Sequence, residues 1–460
     1  MPATMFDITL LLLLIGAHHL SASQYIRACS YNPERGHTST RAPFSVRDID
    51  FTLCTHYIYC FAEIDSDEIT IRAANPSLEE GQTGTYKLFN DGKKDSSNVK
   101  TIISVMGMDD FDDMQLRTFY TKDSNFQTFA TNVLSFLRDK CFDGFNIYWQ
   151  TTDEEMIRDA FPKLLQALRG AFDSDRDRGP LLLTLTGFSS PSSSLGVYNM
   201  TVVRQKVDYI FLPAIGVRFN NYASFLDPLY DNPSQLIMQH NINANAKIQN
   251  LASLGLPHFK MVLGVTALGH YLKLKNAAVY EPGAPVQTTQ LRGPKYCLAN
   301  LLAYPEVCEM MKTAMRYYDD VQKSPYLVEN QTWVGYTDVD SLKDKIDFMK
   351  LYGLAGLEFS LVDQDDYTGD ACSSGKYPLL SFIRNELAPS TTLNTTAELH
   401  YISFTNVGPR AFVSTTAGSV GARVAERRVN LITFVVVGLL LLPVAVVTVW
   451  VARCFIKQPQ

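Results

Sequence analysis

The sequence of 460 residues has little excess of charge of either sign. Its 41 Lys and Arg residues against 47 Asp and Glu residues leave a formal net charge of −6. Proteins that bind nucleic acid usually present a basic surface, because their contacts with phosphates are electrostatic. No basic cluster stands out in the globular part of this chain. We therefore expect no nucleic-acid partner, and the 46% of hydrophobic residues indicates a globular protein with a large core.

The sequence also lacks the short motifs of common cofactor sites and of several catalytic mechanisms. No Gly-rich dinucleotide loop follows the first predicted strand, and no Gly-x-Ser-x-Gly nucleophile elbow is present. The stretch "GDACSSGK" has one residue too many for a phosphate-binding P-loop. The histidines beyond the N-terminal segment show no metal-ligand spacing; they are His37, His56, His240, His258, His270 and His400. We therefore predict neither a metal nor a cofactor.

The cysteine content is far below that of a disulfide-rich scaffold. Eight cysteines are too few for a small disulfide-built scaffold, but enough for a few cross-links on a large core. Three Asn-x-Ser/Thr tripeptides predict N-glycosylation at Asn199, Asn330 and Asn394. Both features favour an exported protein.

Two uncharged apolar stretches lie near the ends of the chain. The stretch "ITLLLLLIGA", followed by small residues, predicts a signal peptide over residues 1–23. Residues 431–452 carry no charge, and about 20 residues at 1.5 Å each span a hydrocarbon core of roughly 30 Å. A Ser/Thr-rich stalk over residues 390–430 and a cytoplasmic tail over residues 453–460 complete a single-pass type I plasma-membrane protein with an extracellular ectodomain. A buried helix is the alternative interpretation of either apolar stretch.

Strand-like and helix-like patterns alternate between these ends. Short runs such as "VKTIISVMG", "FDGFNIYWQ" and "VDYIFLPAIG" are rich in β-branched and aromatic residues. Two intervening segments have apolar residues at the i, i+3, i+4, i+7 spacing of a helix. These positions are Phe126, Phe129, Ala130, Val133 and Leu137 in the first, and Met156, Ala160, Leu164 and Leu168 in the second.

This alternation over residues 24–389 predicts an α/β fold. A parallel sheet with crossover helices is most economically closed into a (β/α)8 TIM barrel. A doubly wound open sheet is the alternative. The pattern changes over about residues 271–336, which are richer in Tyr, Pro and Gly, and this change predicts a small inserted α+β subdomain.

The stretch "LRDKCFDGFNIYW" resembles the signature strand of the chitinases and chitinase-like proteins of glycoside hydrolase family 18. "CTHYIYCFA" resembles the second strand of that family. "FLDPLY", "LAYPEVC", "WVGYTDVDSLKDK" and "DQDDYTGDACSSGKYPLL" resemble later family segments in the same order. The resemblance covers nearly the whole predicted ectodomain, and it implies the barrel with an inserted subdomain.

The family's signature is Asp-x-x-Asp-x-Asp-x-Glu, and the matching positions are Asp143, Asn146, Tyr148 and Gln150. In active members the final Glu protonates the glycosidic oxygen, and the preceding Asp orients the N-acetyl group of the substrate, whose oxygen attacks the anomeric carbon. Gln150 has no titratable proton and Tyr148 supplies no carboxylate. The resemblance therefore implies a catalytically degenerate member.

The family positions that hold the sugar also differ. Met108 and Ser360 stand where the family has Trp, while Leu268 and His270 stand where it has Tyr and Arg. Aromatic faces and fixed polar groups hold a pyranose, so these changes weaken the predicted glycan cleft. Three aromatic residues remain candidates for the cleft, with core packing as the alternative for each: Tyr31, Phe61 and Trp149.

The resemblance further implies two disulfides, Cys29–Cys54 and Cys308–Cys372. It assigns no partner to three other cysteines, and spacing alone does not pair them. These are Cys60, Cys141 and Cys297.

Three functions are compatible with this sequence. The first is a non-enzymatic, membrane-anchored recognition or adhesion protein that binds a cell-surface or extracellular protein or glycan. The second is a lectin that binds chitin or N-acetylglucosamine oligomers in the old cleft. The third is an active chitinase with relocated acids, for which the nearby acids Asp153, Glu154 and Glu155 are poor candidates because they begin a predicted helix.

Overall fold

In the computed structural model, the described residues are 25–34, 43–94, 96, 98–106, 122–149, 154–188, 195–214, 221–233, 243–294 and 299–388. The strands are β1 Ile26–Tyr31, β2 His56–Asp65, β3 Thr70–Ala73, β4 Lys100–Met106, β5 Gly144–Tyr148, β6 Leu182–Thr186, β7 Tyr209–Leu212, β8 Met261–Thr266, β9 Gly269–Lys273, β10 Leu301–Leu302, β11 Met315–Asp319, β12 Ser324–Glu329, β13 Thr332–Gly335 and β14 Gly356–Ser360. The α-helices are α1 Pro76–Glu79, α2 Thr85–Asp91, α3 Asp123–Lys140, α4 Phe161–Ser174, α5 Met200–Lys206, α6 Ala244–Ser253, α7 Tyr304–Met311, α8 Val339–Tyr352 and α9 Pro378–Glu386.

Eight parallel strands form a closed barrel. Their order is β1-β14-β8-β7-β6-β5-β4-β2, and β1 also pairs with β2, which closes the circle. The register is continuous around the signature strand, where Asn146 lies opposite Ser104 on β4 and Thr184 on β6. The predicted (β/α)8 barrel is confirmed, and the closure excludes the doubly wound open sheet.

A second sheet of five antiparallel strands follows β8 along the chain. Its order is β10-β9-β13-β12-β11. Helix α7 lies between β10 and β11 in sequence, and α8 returns the chain to the last barrel strand, β14. This antiparallel sheet therefore lies at the carboxyl end of β8. TIM-barrel enzymes carry their active sites on this side of the barrel.

Alternation along the barrel strands separates two sets of apolar side chains. One set fills the barrel interior and includes Ile58, Ile102 and Phe211. The other packs between the strands and the surrounding helices, as the rings of Phe129 on α3 and Phe145 on β5 do at 6.4 Å. On β5 the odd-numbered residues therefore face the helices, while the even-numbered residues face the barrel axis.

Both predicted helical segments bury the apolar positions that predicted them. The second segment differs from a regular helix in its first turn, because Met156–Ala160 form a π-turn before α4 begins at Phe161. Pro162 has no N–H to donate, and its ring would clash with the carbonyl group four residues earlier. A wider turn at this point relieves that conflict.

Within the described ranges, no helix combines the length and apolar character needed to cross a bilayer. The predicted signal peptide, stalk, span at residues 431–452 and tail all lie outside the described residues.

Candidate functional site

The signature strand places its residues in different environments. Asp143 lies just before β5, and one of its carboxylate oxygens accepts hydrogen bonds from Lys93 Nζ at 2.6 Å and from the backbone N–H of Thr101 at 2.9 Å. Burial alone would raise the pKa of Asp143, but these two hydrogen bonds and nearby lysines outweigh burial and lower the pKa. Asp143 is thus an ionised anchor between β4 and β5.

Asn146 lies inside the barrel with 1% of its surface exposed. Its amide nitrogen donates to the hydroxyl oxygens of Ser104 at 2.8 Å and Thr186 at 3.0 Å. Its amide oxygen accepts from the Thr184 hydroxyl at 2.9 Å. The network contains only uncharged groups, so it holds the strands together without offering a carboxylate to a substrate.

Tyr148 is half-buried at the end of β5, and its ring meets that of Phe61 edge-on with centroids 5.7 Å apart. Burial, together with the nearby carboxyl of Glu358, raises the pKa of Tyr148 to about 12. The phenol therefore stays protonated at neutral pH and supplies no negative charge. Gln150, the position of the catalytic Glu in the resemblance, lies outside the described residues.

Glu358 on β14 is a barrel-interior acid that the sequence analysis missed. It is 5% exposed, and its carboxyl group accepts from Ser30 Oγ at 2.7 Å and from Ser360 Oγ at 3.2 Å. Burial raises the pKa of Glu358 to about 7, although the hydrogen bonds from these two hydroxyl groups act to lower it. Side chains two residues apart on a strand point to the same face, so Glu358 shares the inner face of β14 with Ser360. This period could have identified Glu358 from the sequence.

The structure corrects two of the three candidate cleft aromatics. Tyr31 is 1% exposed and stacks on Phe89 at 5.8 Å, and Trp149 is 2% exposed and packs on Phe161 at 4.3 Å. Both rings therefore belong to the core between strands and helices, where neither can stack on a sugar. Phe61 is half-buried and lines a cavity of about 170 Å³ beside the barrel mouth.

Two positions that differ from the family's sugar-holding residues are buried. Leu268 is 4% exposed and packs with Leu226 and Leu301. His270 is 1% exposed, and its Nδ1–H donates to the carbonyl oxygen of Ser224 at 2.6 Å. At these two positions the side chains are therefore buried in apolar packing or in a hydrogen bond within the protein. Met108 lies outside the described residues.

Both disulfides implied by the resemblance are present, Cys29–Cys54 and Cys308–Cys372. The buried Cys60 donates its S–H to the carbonyl oxygen of Ile58, while Cys141 is exposed and in no disulfide. Cys297 lies outside the described residues.

The glycosylation tripeptides fall in different settings. Asn199 is exposed and caps α5, since its side-chain oxygen accepts from the N–H of Val202 at 3.2 Å. Asn330 is exposed at the turn between β12 and β13. Asn394 lies outside the described residues.

Among the residues that the structure does describe, no three His, Cys, Asp or Glu side chains group as metal ligands would.

Comparison with known proteins agrees with this geometry. The model of the family "Glycosyl hydrolases family 18" matches residues 27–365. Chitotriosidase-1 of Mus musculus is 30% identical over 363 residues, which cover 76% of this chain and 75% of that protein. Chitinase-3-like protein 2 of Homo sapiens is 27% identical and covers 83% of this chain and 96% of that protein.

Solved structures give the same result. The Group IV chitinase of Ostrinia furnacalis superposes with a TM-score of 0.71 at 26% identity, over 79% of this chain and 100% of that chain. Human YKL-39, described as a pseudo-chitinase with retained chitooligosaccharide binding properties, superposes with a TM-score of 0.70 at 25% identity over the same shares.

Proposed function

The chain belongs to family 18 of the glycosyl hydrolases, and we propose that it is a non-enzymatic member that acts in recognition or adhesion at the cell surface. In this proposal the barrel is a glycosylated ectodomain that binds a protein or a glycan. The observation that carries it is the pair Asn146 and Tyr148, an amide in a closed hydrogen-bond network and a protonated phenol at the second and third Asp positions of the signature.

The chemistry of the family supports this proposal. General acid catalysis needs a proton that titrates near the working pH, and it contributes roughly 10²–10⁴-fold to the rate. Substrate-assisted cleavage also needs a carboxylate beside the developing positive charge of the oxazolinium intermediate. Gln150 cannot provide the first and Tyr148 cannot provide the second, so these two signature positions lack both contributions.

A lectin is the second candidate. The description of YKL-39 supports it, because a related barrel without chitinase activity retains chitooligosaccharide binding. Phe61 at the mouth supplies one half-buried aromatic ring. Leu268, His270 and Ser360 weigh against this candidate, since they replace an aromatic face, a cation and a stacking floor.

An active chitinase is less well supported. Glu358 is the candidate for a relocated acid, because its pKa of about 7 suits proton transfer. However, it is 5% exposed and accepts hydrogen bonds from two serine hydroxyl groups inside the barrel. A general acid must come within hydrogen-bond reach of the leaving oxygen, so the burial of Glu358 weighs against this role.

The cell-surface part of the proposal rests on the sequence. A signal peptide over residues 1–23, an uncharged stretch over residues 431–452 and three glycosylation tripeptides together favour a type I membrane glycoprotein.

Calorimetric titration of the full-length chain in detergent with N-acetylglucosamine oligomers tests this function. Absence of heat from a folded sample would favour a protein partner, and saturable heat without product would favour the lectin. Saturable heat with oligomer cleavage would overturn the non-enzymatic proposal. The Ostrinia furnacalis chitinase provides the positive control for both signals.

A further inference from the structure

A cavity of about 580 Å³ lies behind the antiparallel sheet. This volume falls within the range of roughly 300–1,000 Å³ that is typical of ligand sites. Its walls come from helix α7, from the turn between β12 and β13, and from the loop at Thr368–Ala371. The disulfide Cys308–Cys372 joins α7 to this loop, so two of the walls are held together covalently.

The cavity is separate from the barrel mouth. Successive side chains of β9 point to opposite faces of the sheet. His270 and Leu272 share one face, and Leu272 packs there with Trp333. Tyr271 points to the other face, where it lines the cavity with Leu302. Ligands at this cavity and at the mouth would therefore meet different surfaces.

The lining of the cavity combines apolar and acidic residues. The apolar residues include Tyr271, Leu302, Pro305 and Met310. The acids are Glu306, Glu309, Glu329 and Asp370, and none of the described residues that line the cavity is basic.

The four acids differ in the hydrogen bonds and ion pairs that they already make within the protein. One oxygen of Glu306 accepts from the N–H of Ala303 at 2.9 Å and so caps α7. Glu309 pairs with Lys312 at 2.7 Å, but these side chains are 57% and 56% exposed. An ion pair so exposed is weak and readily exchanged. Glu329 and Asp370 lie on two further elements, so negative charge surrounds the cavity from three sides.

We propose that this cavity binds a basic segment of a partner protein. The aliphatic stem of a Lys or Arg residue would lie along Pro305 and Met310, with its charged end at the carboxylates. The ring of Tyr271 would add a cation–π contact. Carboxylates on three separate elements suit a peptide with two or more cations, spaced along its backbone, better than a single amine. The proposal does not depend on what binds at the barrel mouth, and it stands if the proposed function there fails.

The test uses the full-length chain in detergent and the fluorescein-labelled hexapeptide Arg-Leu-Lys-Arg-Leu-Lys, with fluorescence anisotropy as the readout. We expect saturable binding that weakens with added salt, because the ion pairs are exposed to screening. The double variant Glu309→Gln, Glu329→Gln should bind about tenfold more weakly. All proteins carry Asn330→Gln, so that a glycan at the neighbouring turn does not affect the comparison.

The matched control is Asp123→Asn, Asp347→Asn, which removes two exposed, ion-paired carboxylates elsewhere. It should bind like the parent, and thermal unfolding should show that both double variants are folded. Equal weakening in both variants would mean that net charge alone attracts the peptide, and would overturn the proposal. Absence of saturable binding would overturn it too. Competition by spermidine as strong as that of the unlabelled peptide would assign the cavity to small amines instead.

Discussion

At the residue scale, the side chain of Asn146 is fully used inside the barrel. Its two N–H groups donate to Ser104 and Thr186, and its oxygen accepts from Thr184. A buried amide with all its partners costs little, whereas a buried carboxylate needs a cation or several donors. The interior of this barrel therefore suits the amide that is present at position 146, where the family signature has an Asp.

Restoring the signature should not restore the reaction. In the triple variant Asn146→Asp, Tyr148→Asp, Gln150→Glu, we expect no turnover of N-acetylglucosamine oligomers. An acid accelerates cleavage only when the sugar is held against it, and Leu268, His270 and Ser360 no longer provide that hold. Product analysis by mass spectrometry checks this, with circular dichroism as evidence of folding. Robust chitinase activity in the triple variant would show that the mouth is still competent.

Glu358 should make stability depend on pH. Its pKa in the folded state is about 7 against an ordinary value of 4.5, so the folded state binds the proton more tightly. The resulting stabilisation is fully present below about pH 4.5 and is lost as the pH rises through 7. Relative to Glu358→Gln, the wild type should lose about 2.5 kcal/mol of unfolding free energy between pH 5 and pH 8.

Denaturant unfolding of both proteins at the two pH values measures this difference. Burial raises the pKa of Asp365 to about 7 as well, but this residue is common to both proteins and cancels. An unchanged difference between pH 5 and pH 8 would mean that Glu358 titrates as it does in the unfolded chain.

At the element scale, the sequence was informative about strands and less so about which face a side chain occupies. The alternation of apolar runs predicted a parallel sheet with crossover helices and favoured the closed barrel over the doubly wound open sheet. Tyr31 and Trp149 were misplaced because Ser30 and Tyr148, their neighbours on the same strands, are the residues that face inward. Applying the two-residue period from one known inward position would have placed both in the core.

Phe61 shows where that period fails. The pairing of β2 with β4 shifts between Cys60 and Ala62, and such an irregularity re-aims a side chain. Cys60 lies in the interior cluster, and Phe61 packs against the same cluster. A single sequence gives no signal for this shift. The π-turn at Met156–Ala160 is similar. Pro162 indicates from the sequence that the helix is irregular here, but not that the irregularity is a π-turn.

Helix α8 is tied to the barrel by a buried ion pair. Lys345 Nζ lies 2.8 Å from a carboxylate oxygen of Asp227, with side chains 2% and 9% exposed. Lys345→Met should reduce the unfolding free energy by about 3–5 kcal/mol, because it leaves a buried carboxylate without its cation. Adding Asp227→Asn should recover part of this loss. Chemical denaturation of the single and double variants tests this, and an equally unstable double variant would show that packing around Lys345 matters more than charge.

At the scale of the whole molecule, the closed barrel of family 18 is present together with two disulfides. Cys29–Cys54 joins β1 to the segment just before β2, and Cys308–Cys372 joins α7 to the loop that follows β14. One fold can carry different functions, because function lies in the site and not in the scaffold. The recognition function proposed above uses the surface of this scaffold and needs no catalytic acid.

The type I topology proposed from the sequence predicts how the chain behaves in cells. Expressed in mammalian cells, it should stay in the membrane pellet after alkaline carbonate extraction, while a chain truncated after residue 430 should appear in the medium. Treatment with peptide N-glycosidase should increase gel mobility, and removing Asn199, Asn330 and Asn394 together should abolish that change. Secretion of the full-length chain would contradict the predicted span.

The most direct measurement is a hydrolysis assay of the wild type with N-acetylglucosamine hexamer, with the protein in excess over the substrate. Mass spectrometry follows the products at pH 5 and pH 7, and an active family 18 chitinase at the same concentration serves as the reference. We predict intact hexamer at both pH values. Shorter oligomers that disappear in Glu358→Gln would contradict this prediction, because they would place a working acid inside the barrel.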